Sequence, residues 1–316
     1  MSAPPVLDAD AVARLLPLPD AVAALEEALQ RGLDPERDPA RSSIEVASGE
    51  LLLMPSSWEG AVGVKLATVA PANAERGLPR IQGIYVLFDP EVLTPLALVD
   101  GIALTSLRTA AVSALAVSRL ARTDARRLLV YGSGPQAWSH VQALREIRPI
   151  EQVGVVARDR GRLAEFVDGC RATGLMTEAI LGTTEDSVMA ADIVCCCTTA
   201  REPLFDGGLV APGATVVAVG SHEPAAREVD ERLAGRSTVV VEARSAALRE
   251  AGDVIQAVDL GALSPNSVMT LAELVAGQAV VPEERPRLFK STGMAWEDLV
   301  VAGALAARVG PGERQR

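Results

Sequence analysis

A glycine-rich loop in the middle of the chain has the residue types and spacing that bind a dinucleotide. The residues of its G-x-G-x-x-A pattern are Gly132, Ser133, Gly134, Gln136 and Ala137. The first glycine of such a pattern permits a tight turn, the second lets a pyrophosphate approach the backbone, and the alanine allows close helix packing. Because the loop follows the apolar run 127–131 and opens a predicted helix to about residue 147, we expect a dinucleotide at that helix N-terminus.

The end of the next predicted strand, 152–156, selects between NAD and NADP. An acidic residue there binds the ribose 2′-hydroxyl of NAD, whereas a cation binds the 2′-phosphate of NADP. Arg158 comes first and Asp159 follows it directly. We therefore expect NADP(H) to be favoured and NAD(H) to be possible, although Arg158 could also be a solvated loop residue.

The pattern of the surrounding elements changes along the chain. From about residue 125 to 285, short apolar strands alternate with helices, which predicts a doubly wound parallel sheet. The strands are expected at 127–131, 152–156, 192–198, 214–219 and 238–242, with a helix over 160–173. Before residue 100 the strands look antiparallel, with a hairpin over 44–54 that turns at Ser48-Gly49 and further strands at 62–67, 81–88 and 95–99.

Two predicted helices and one strand matter for the N-terminal part. A first helix is expected over 19–32, and Thr105 is a plausible cap for a helix over 106–121 that carries Arg108 in its first turn. On the strand 62–67, Lys65 lies between the small residues Gly63 and Ala67, so we expect open space around the lysine.

Composition excludes several classes of function. The chain has 316 residues, 49% of them hydrophobic, and a net charge of −11. Nucleic-acid phosphates repel such an acidic surface. The first residues lack a basic region followed by an apolar run, and we find no stretch of about 18 apolar residues. We therefore expect a cytoplasmic protein that does not bind nucleic acid or membranes.

The cysteines do not suggest a metal centre. They are Cys170 and the run Cys195-Cys196-Cys197, and the two histidines are His140 and His222. Neither paired CxxC motifs nor clustered histidines accompany them, so small hydrophobic side chains in a buried strand are the favoured interpretation. We expect no bound metal.

Three separated blocks resemble the ornithine cyclodeaminase/mu-crystallin family over nearly the whole chain. The first runs from Gly63-Val64-Lys65 through Gly77-Leu78-Pro79 to Arg108-Thr109-Ala110-Ala111. The second contains Gly220-Ser221-His222-Glu223-Pro224 and Arg227-Glu228-Val229-Asp230. The third contains Lys290-Ser291-Thr292-Gly293 and Glu297-Asp298.

This resemblance implies an α/β fold in two parts, with the active site between them. A Rossmann doubly wound parallel sheet over 121–289 would bind the dinucleotide. An α+β substrate-binding and dimerisation domain over 1–120 would be completed by the C-terminal helix 290–316, and two chains would form a homodimer. Members of the family reduce imines or 2-oxo acids with amines, or deaminate ornithine to proline with a tightly held NAD.

Arg41, Lys65 and Arg108 match the three cationic substrate residues of the family. Three cations in a mostly apolar domain are costly unless an anion meets them, and an arginine can bind a carboxylate through two parallel hydrogen bonds. The substrate is therefore expected to carry an α-carboxylate. Two alternatives stay open: Arg41 could be solvated, and Arg108 could belong to a structural ion pair.

His222 marks a departure from the deaminating members, which resemble one another in carrying an Asp at this position. Their carboxylate can take a proton from an amine or activate water. Its replacement disfavours ornithine deamination and favours the ketimine-reductase side of the family. His222 could shuttle a proton, because imidazole titrates near neutrality, or it could contact nucleotide or solvent, and Glu223 is an alternative acid.

We therefore predict an NAD(P)H-dependent reductase of an imine carbon beside a carboxylate, such as pyrroline-2-carboxylate or piperideine-2-carboxylate. Lys65 and His222 are the expected catalytic residues. The other expected cofactor-binding residues are Thr109, Thr198, Val219, Gly220, Ser221 and Ser291. The alternatives are an ornithine cyclodeaminase, an alanine-type amino-acid dehydrogenase, and a non-catalytic nucleotide- or ligand-binding protein similar to mu-crystallin.

Overall fold

The computed structural model describes residues 4–182 and 185–309. The chain divides into two compact units. The first unit contains Met1–Val112 and Met294–Arg316, and the second unit contains Ser113–Gly293. The sequence predicts boundaries at 120/121 and 289/290. The observed boundaries differ because residues of one long helix, Gly101–Leu120, belong to both units.

A six-stranded sheet forms the framework of the first unit. Its strands are β1 (Val6–Leu7), β2 (Ser42–Val46), β3 (Gly49–Trp58), β4 (Ala61–Val69), β5 (Ile81–Phe88) and β6 (Pro95–Asp100). They lie in the order β1-β6-β5-β4-β3-β2, and every neighbouring pair except β1 with β6 is antiparallel. The predicted antiparallel region is therefore confirmed, although the hairpin turns at Ala47-Ser48 and β3 extends to Trp58.

Helices accompany this sheet in the first unit. They are α1 (Ala9–Leu15), α2 (Leu18–Gln30) and the C-terminal helix α11 (Ala295–Ala307), with 3-10 turns at Pro35–Arg37 and Pro71–Arg76. Helix α11 packs against α2 and against β3, β4 and β5. The residues of β4 that face inwards are Gly63, Lys65, Ala67 and Val69, which are buried, whereas Val62, Val64 and Leu66 on the opposite face are only half-buried.

Helix α3 (Gly101–Leu120) begins earlier than its sequence suggests. The Asp100 carboxylate accepts hydrogen bonds from the N–H groups of Ile102 (2.9 Å) and Ala103 (2.8 Å), so Asp100 caps the helix. Thr105 and Arg108 consequently lie inside the helix. The prediction that Thr105 caps it is wrong, and so is the prediction that Arg108 occupies its first turn.

By length and composition alone, the same helix could cross a membrane. The sequence did not lead us to expect this, because we found no stretch of about 18 apolar residues. About two-thirds of its apolar window, 67%, is buried within the protein. Such burial is typical of a core helix.

An eight-stranded, entirely parallel sheet forms the second unit. Its strands are β7 (Arg127–Tyr131), β8 (Gln152–Val156), β9 (Met176–Ile180), β10 (Ile193–Cys196), β11 (Thr215–Ala218), β12 (Thr238–Val241), β13 (Met269–Thr270) and β14 (Arg287–Lys290). Its helices are α4 (Pro135–Ile147), α5 (Arg160–Ala172), α6 (Glu185–Met189), α7 (Glu231–Arg236), α8 (Arg244–Glu250), α9 (Gly252–Asp259) and α10 (Leu271–Val275), with 3-10 turns at Gly207–Leu209 and Pro265–Ser267.

The strand order is β13-β12-β14-β11-β10-β7-β8-β9, with every pair parallel. This confirms the Rossmann doubly wound sheet. The direction of winding reverses between β7 and β10, and ligands of such sheets bind outside the carboxyl ends of the strands at that point. The sequence did not predict β9, β13 or β14, and β14 inserts between β11 and β12.

Candidate active site

The loop after β7 has the geometry of a phosphate-binding turn. Gly132 has φ +113°, which favours glycine, and a Cβ on it would lie 2.5 Å from the carbonyl oxygen of Cys197. Gly134 is the N-cap of α4, makes no side-chain cap hydrogen bond, and has open space where a Cβ would project. An uncapped helix N-terminus beside open space suits a pyrophosphate, so these residues fit a bound dinucleotide.

Arg158 and Asp159 have different surroundings at the end of β8. The Asp159 carboxylate accepts hydrogen bonds from the N–H groups of Gly161 (2.9 Å) and Arg162 (3.0 Å), which makes it the N-cap of α5. Arg158 is exposed. The carboxylate of Asp159 is therefore already engaged in capping the helix, whereas the Arg158 side chain extends into solvent.

Thr198 and Gly220 follow β10 and β11, and one buried carboxylate holds both. Glu228 Oε1 accepts hydrogen bonds from Thr198 N–H and Oγ1, both at 2.7 Å, and Oε2 accepts one from Gly220 N–H at 2.7 Å. Burial raises the pKa of Glu228, while the positive charge of Lys290 opposes that change. Glu228 therefore fixes the two strand ends at which a dinucleotide would lie.

Further buried carboxylates hold the adjacent segments. Asp253 accepts hydrogen bonds from the N–H groups of Glu228 (2.7 Å) and Val229 (2.9 Å) and forms an ion pair with Lys290 (3.0 Å). After β14, Glu242 accepts hydrogen bonds from Ser291 Oγ (2.6 Å) and from the N–H of Thr292 (2.8 Å).

The structure thus brings the predicted cofactor residues to the carboxyl ends of three neighbouring strands. Thr198 follows β10, Val219, Gly220 and Ser221 follow β11, and Ser291 follows β14. We did not predict the carboxylates that hold them. Glu242, which directly follows the apolar strand β12, was the available signal. Thr109 lies on α3 of the first unit, where its hydroxyl donates to the carbonyl of Thr105 (2.7 Å), and its role with cofactor stays a prediction.

His222 and Glu223 lie in the loop after β11. Both residues are half-buried. The Glu223 carboxylate forms an ion pair with Arg201 at 2.9 Å, in which the side chains are 45% and 60% exposed, respectively. Glu223 therefore has a partner of its own, and a catalytic role for His222 stays a prediction.

Four buried charged side chains meet in the first unit. Lys65 Nζ lies 2.7 Å from Asp298 Oδ2, and Arg108 Nη1 lies 2.6 Å from Glu297 Oε2. Arg108 Nε is also 3.3 Å from Asp298 Oδ1. We call Lys65, Arg108, Glu297 and Asp298 the charge quartet. Its two positive and two negative charges cancel, which is what makes their shared burial tolerable.

The quartet bears on two expectations from the sequence. The anions that meet Lys65 and Arg108 in this structure are carboxylates of the protein itself, so Arg108 does form an ion pair, and substrate binding by Lys65 and Arg108 stays a prediction. Lys65 does not have open space around it, because it is buried and the Tyr85 hydroxyl fills the place of a Cβ on Gly63. Arg41, half-buried ahead of β2, stays a predicted substrate residue.

Lys65 has an altered acidity. Burial and the neighbouring Arg108 charge lower its pKa from 10.5 to about 8, against the opposing effect of Asp298 and Glu297. A lysine with this pKa is still mostly protonated at neutral pH, yet it releases its proton far more readily than an exposed lysine. Lys65 can therefore act as an acid within the site.

Residues around the quartet anchor the start of α11. Asp38 accepts hydrogen bonds from Trp296 N–H (2.6 Å) and from Ser56 Oγ (2.6 Å). Burial raises the pKa of Asp38, while these two hydrogen bonds lower it. Burial also raises the pKa of Tyr85, and the charges of Asp298 and Asp38 add to that effect.

The sequence profile of the ornithine cyclodeaminase/mu-crystallin family matches residues 3–311. The chain belongs to this family. The ketimine reductase mu-crystallin of Rattus norvegicus is 35% identical over 269 residues, which cover 84% of this chain and 82% of that protein.

Two solved structures are similar to this family member over most of both chains. The Δ1-pyrroline-2-carboxylate reductase of Thermococcus litoralis, in complex with NADH and L-proline, has a TM-score of 0.90 at 30% identity and covers 96% of this chain and 97% of that one. An archaeal alanine dehydrogenase dimer with bound NAD has a TM-score of 0.89 at 28% identity, with coverages of 96% and 95%.

The cysteine run of this family member lies at the end of β10. Cys195 and Cys196 are buried, and the sulfur atoms of Cys195 and Cys197 are 3.6 Å apart. His140 offers a nitrogen within 4.8 Å of both sulfurs. Its Nδ1 already contacts the Gln136 carbonyl (2.7 Å) and its Nε2 the Ser113 hydroxyl (2.9 Å), while burial lowers its pKa to about 4. His140 is therefore a neutral imidazole, and each of its ring nitrogens has a hydrogen-bond partner within the protein.

The open space beside Gly134 gives a test of the dinucleotide loop. We expect Gly134→Asp to abolish NADPH binding measured by calorimetry, because a carboxylate would occupy the place of the pyrophosphate. Gly134→Asn has nearly the same size without the charge and is the matched control, for which a partial loss is expected. Unchanged affinity in a folded Gly134→Asp variant would show that the loop assignment is wrong.

Proposed function

We propose that this chain is an NAD(P)H-dependent reductase of imines whose carbon carries a carboxylate, so that a cyclic ketimine or 2-imino acid becomes an amino acid. It is an oxidoreductase that acts on a C=N bond, as the names of its relatives also state for those proteins. The observation that carries the proposal is that Lys65 and Arg108 lie buried together in the charge quartet, where the pKa of Lys65 is about 8.

The residues of the quartet account for binding and proton transfer. A guanidinium such as Arg108 binds and orients a substrate carboxylate, which lowers the entropic part of the barrier. A reduced nicotinamide supplies a hydride to the imine carbon when it is bound. As the carbon accepts this hydride, the C=N bonding pair moves to nitrogen, which takes a proton from Lys65 Nζ. The neutral amine of Lys65 then regains a proton from solvent.

The reaction class can be tested by direct comparison of substrates. We expect wild-type protein to oxidise NADPH with pyrroline-2-carboxylate or piperideine-2-carboxylate and to form little proline from ornithine with NAD. Lys65→Arg keeps the charge but cannot release its proton, so a rate at least about 100-fold lower is expected.

Each alternative function has its own result in this assay. Rapid proline formation from ornithine without imine reduction would establish a cyclodeaminase and overturn our interpretation of His222. Activity confined to pyruvate with ammonia would indicate an alanine-type dehydrogenase. Nucleotide binding without turnover of any substrate would indicate a binding protein similar to mu-crystallin.

The cofactor is a nicotinamide dinucleotide, and we propose a preference for NADP(H). The exposed Arg158 is placed after β8, where a 2′-phosphate would lie, and the Asp159 carboxylate that could bind a 2′-hydroxyl caps α5 instead. Arg160 is a further exposed cation in the next turn. The two similar solved structures contain NADH and NAD. The proposed preference for NADP(H) therefore rests on the arginines of this chain and not on those structures.

The Arg158 side chain provides the test of this preference. We expect Arg158→Ala to weaken NADPH binding by roughly 10- to 150-fold more than NADH binding, because only NADPH carries the 2′-phosphate. Arg171→Ala, at the far end of α5, is the control and should leave both affinities unchanged. An equal loss for the two cofactors in calorimetry would remove Arg158 from this role.

We also propose that the protein acts as a homodimer paired through the sheet of the first unit. The face opposite α11 carries a row of apolar residues in register, Leu53, Leu66 and Ile84, and a second row with Val64 and Val86. These side chains are half-buried within one chain. The similar archaeal alanine dehydrogenase is described as a dimer. A cytoplasmic location and the absence of nucleic-acid or membrane partners stay predictions.

Light scattering tests the proposed assembly. Wild-type protein at micromolar concentration should have the mass of two chains, and Val64→Glu should shift it to one chain, because a carboxylate in the middle of an apolar interface has no partner. Thr68→Glu, at the exposed end of the same strand, should disturb the mass less. A monomeric wild type would contradict the homodimer.

A further inference from the structure

The two carboxylates of the charge quartet are consecutive residues at the start of α11, yet they have different partners. Glu297 contacts Arg108 at 2.6 Å, whereas Asp298 lies 2.7 Å from Lys65 and 3.3 Å from Arg108. Neighbouring residues of a helix point about 100° apart, so one turn of α11 can serve two cations. Both carboxylate side chains are completely buried.

We propose that Glu297 and Asp298 divide the site between binding and proton transfer. Glu297 is a positioning residue for Arg108 and so controls affinity for the substrate carboxylate. Asp298 is a positioning residue for Lys65, keeping its ammonium protonated and directed for donation to the imine nitrogen. This inference rests on the proposed function for its kinetic part, whereas the acidity of Lys65 can be measured without any substrate.

The surroundings of Lys65 explain why Asp298 controls it. Helix α3 contributes the Arg108 charge and the Thr105 hydroxyl, whose oxygen is 3.5 Å from Lys65 Nζ. On the neighbouring strand β5, Tyr85 is paired in register with Lys65. Helix α11 contributes both carboxylates, and Asp38 adds a negative charge near Asp298. The one oppositely charged group in direct contact with Lys65, among the described ion pairs, is Asp298.

The arrangement also sets the direction of each effect. Burial and Arg108 favour the neutral amine of Lys65, while Asp298 is the strongest influence in favour of the ammonium, ahead of Glu297. Removing the Asp298 charge should therefore lower the pKa of Lys65 below about 8. The ammonium would then be lost at lower pH, and a rate that needs this proton would decline at lower pH as well.

The chain offers a direct measurement, because its 30 basic residues include just two lysines, Lys65 and Lys290. Protein labelled with ¹³C at lysine Cε should give two signals, of which the Lys65 signal is assigned with Lys65→Arg and followed through the pH titration. We expect Asp298→Asn to lower the Lys65 titration midpoint by about one pH unit or more. Glu297→Gln, the matched removal of the other carboxylate charge, should move it clearly less. Lys290, paired with Asp253, is the internal control.

The kinetic measurement separates the two roles. With a cyclic imine and NADPH, Asp298→Asn should shift the alkaline limb of kcat to lower pH by the same amount as the Lys65 signal. Glu297→Gln should instead raise KM for the imine about tenfold or more with the limb of kcat retained, because Arg108 loses its shorter ion pair and keeps the longer contact with Asp298.

Three outcomes would overturn the proposal: a wild-type Lys65 titration in Asp298→Asn, an equally large shift in Glu297→Gln, or an unchanged KM in Glu297→Gln. Asp298→Glu keeps the charge and should hold the Lys65 titration midpoint near that of wild type. If Asp298→Asn does not fold, Asp298→Glu and Glu297→Gln test the proposal instead. A lowered Lys65 titration midpoint in Asp298→Glu would contradict the assignment of Asp298. If no imine is reduced, the proposed function fails while the titration still tests the pairing of Asp298 with Lys65.

Discussion

The cancellation of charge within Lys65, Arg108, Glu297 and Asp298 is the constraint on which the first unit depends. Removing a charged group from water costs several kcal/mol, and loss of one member of a buried ion pair destabilises a protein by roughly 3–5 kcal/mol. The cations come from β4 and α3 and the carboxylates from α11, so the three elements must pack together for either sign to be tolerated. The buried ion pairs of the site therefore also hold distant parts of the chain together.

The second unit solves a related problem with carboxylates and backbone N–H groups. Parallel strands end in loops whose N–H donors need partners when they are buried. Glu228 supplies two carboxylate oxygens to the ends of β10 and β11, and Glu242 supplies its oxygens to the segment after β14. These bonds leave little freedom to the loops that border the cofactor position. The carboxylates that satisfy the buried N–H donors therefore also make this edge of the sheet rigid.

The sequence predicted most of the second unit, because β7, β8 and the glycine loop have strong local signals. It did not predict β14, whose four residues include the charged Arg287 and Lys290. A strand of this composition is buried because Lys290 finds Asp253 across 37 residues of sequence, which no local pattern encodes. The start of α3 was misjudged for a simpler reason. Asp100 is a better cap than Thr105, and it is the last residue of β6, one residue beyond the predicted strand 95–99.

Within the candidate site, residue types were easier to predict than their partners. Lys65 and Arg108 could be named from the resemblance, and the requirement for a counter-charge followed from elementary electrostatics. The identity of that counter-charge depended on bringing Glu297 to Arg108 across 189 residues of sequence, and Asp298 to Lys65 across a still longer stretch. Sequence alone cannot tell an anion supplied by substrate from one supplied by the protein, since both satisfy the same electrostatic requirement.

The return of α11 to the first unit has a consequence for biosynthesis. A ribosome makes β4 and α3 early, then all of the second unit, and only then Glu297 and Asp298. Until those last residues leave the exit tunnel, Lys65 and Arg108 have no carboxylates from α11, and the inner face of the sheet lacks its covering helix. The nascent second unit can fold first, while the first unit must wait for the synthesis of α11. Premature termination would therefore leave an exposed apolar sheet with two uncompensated cations, the kind of surface that chaperones and proteases recognise.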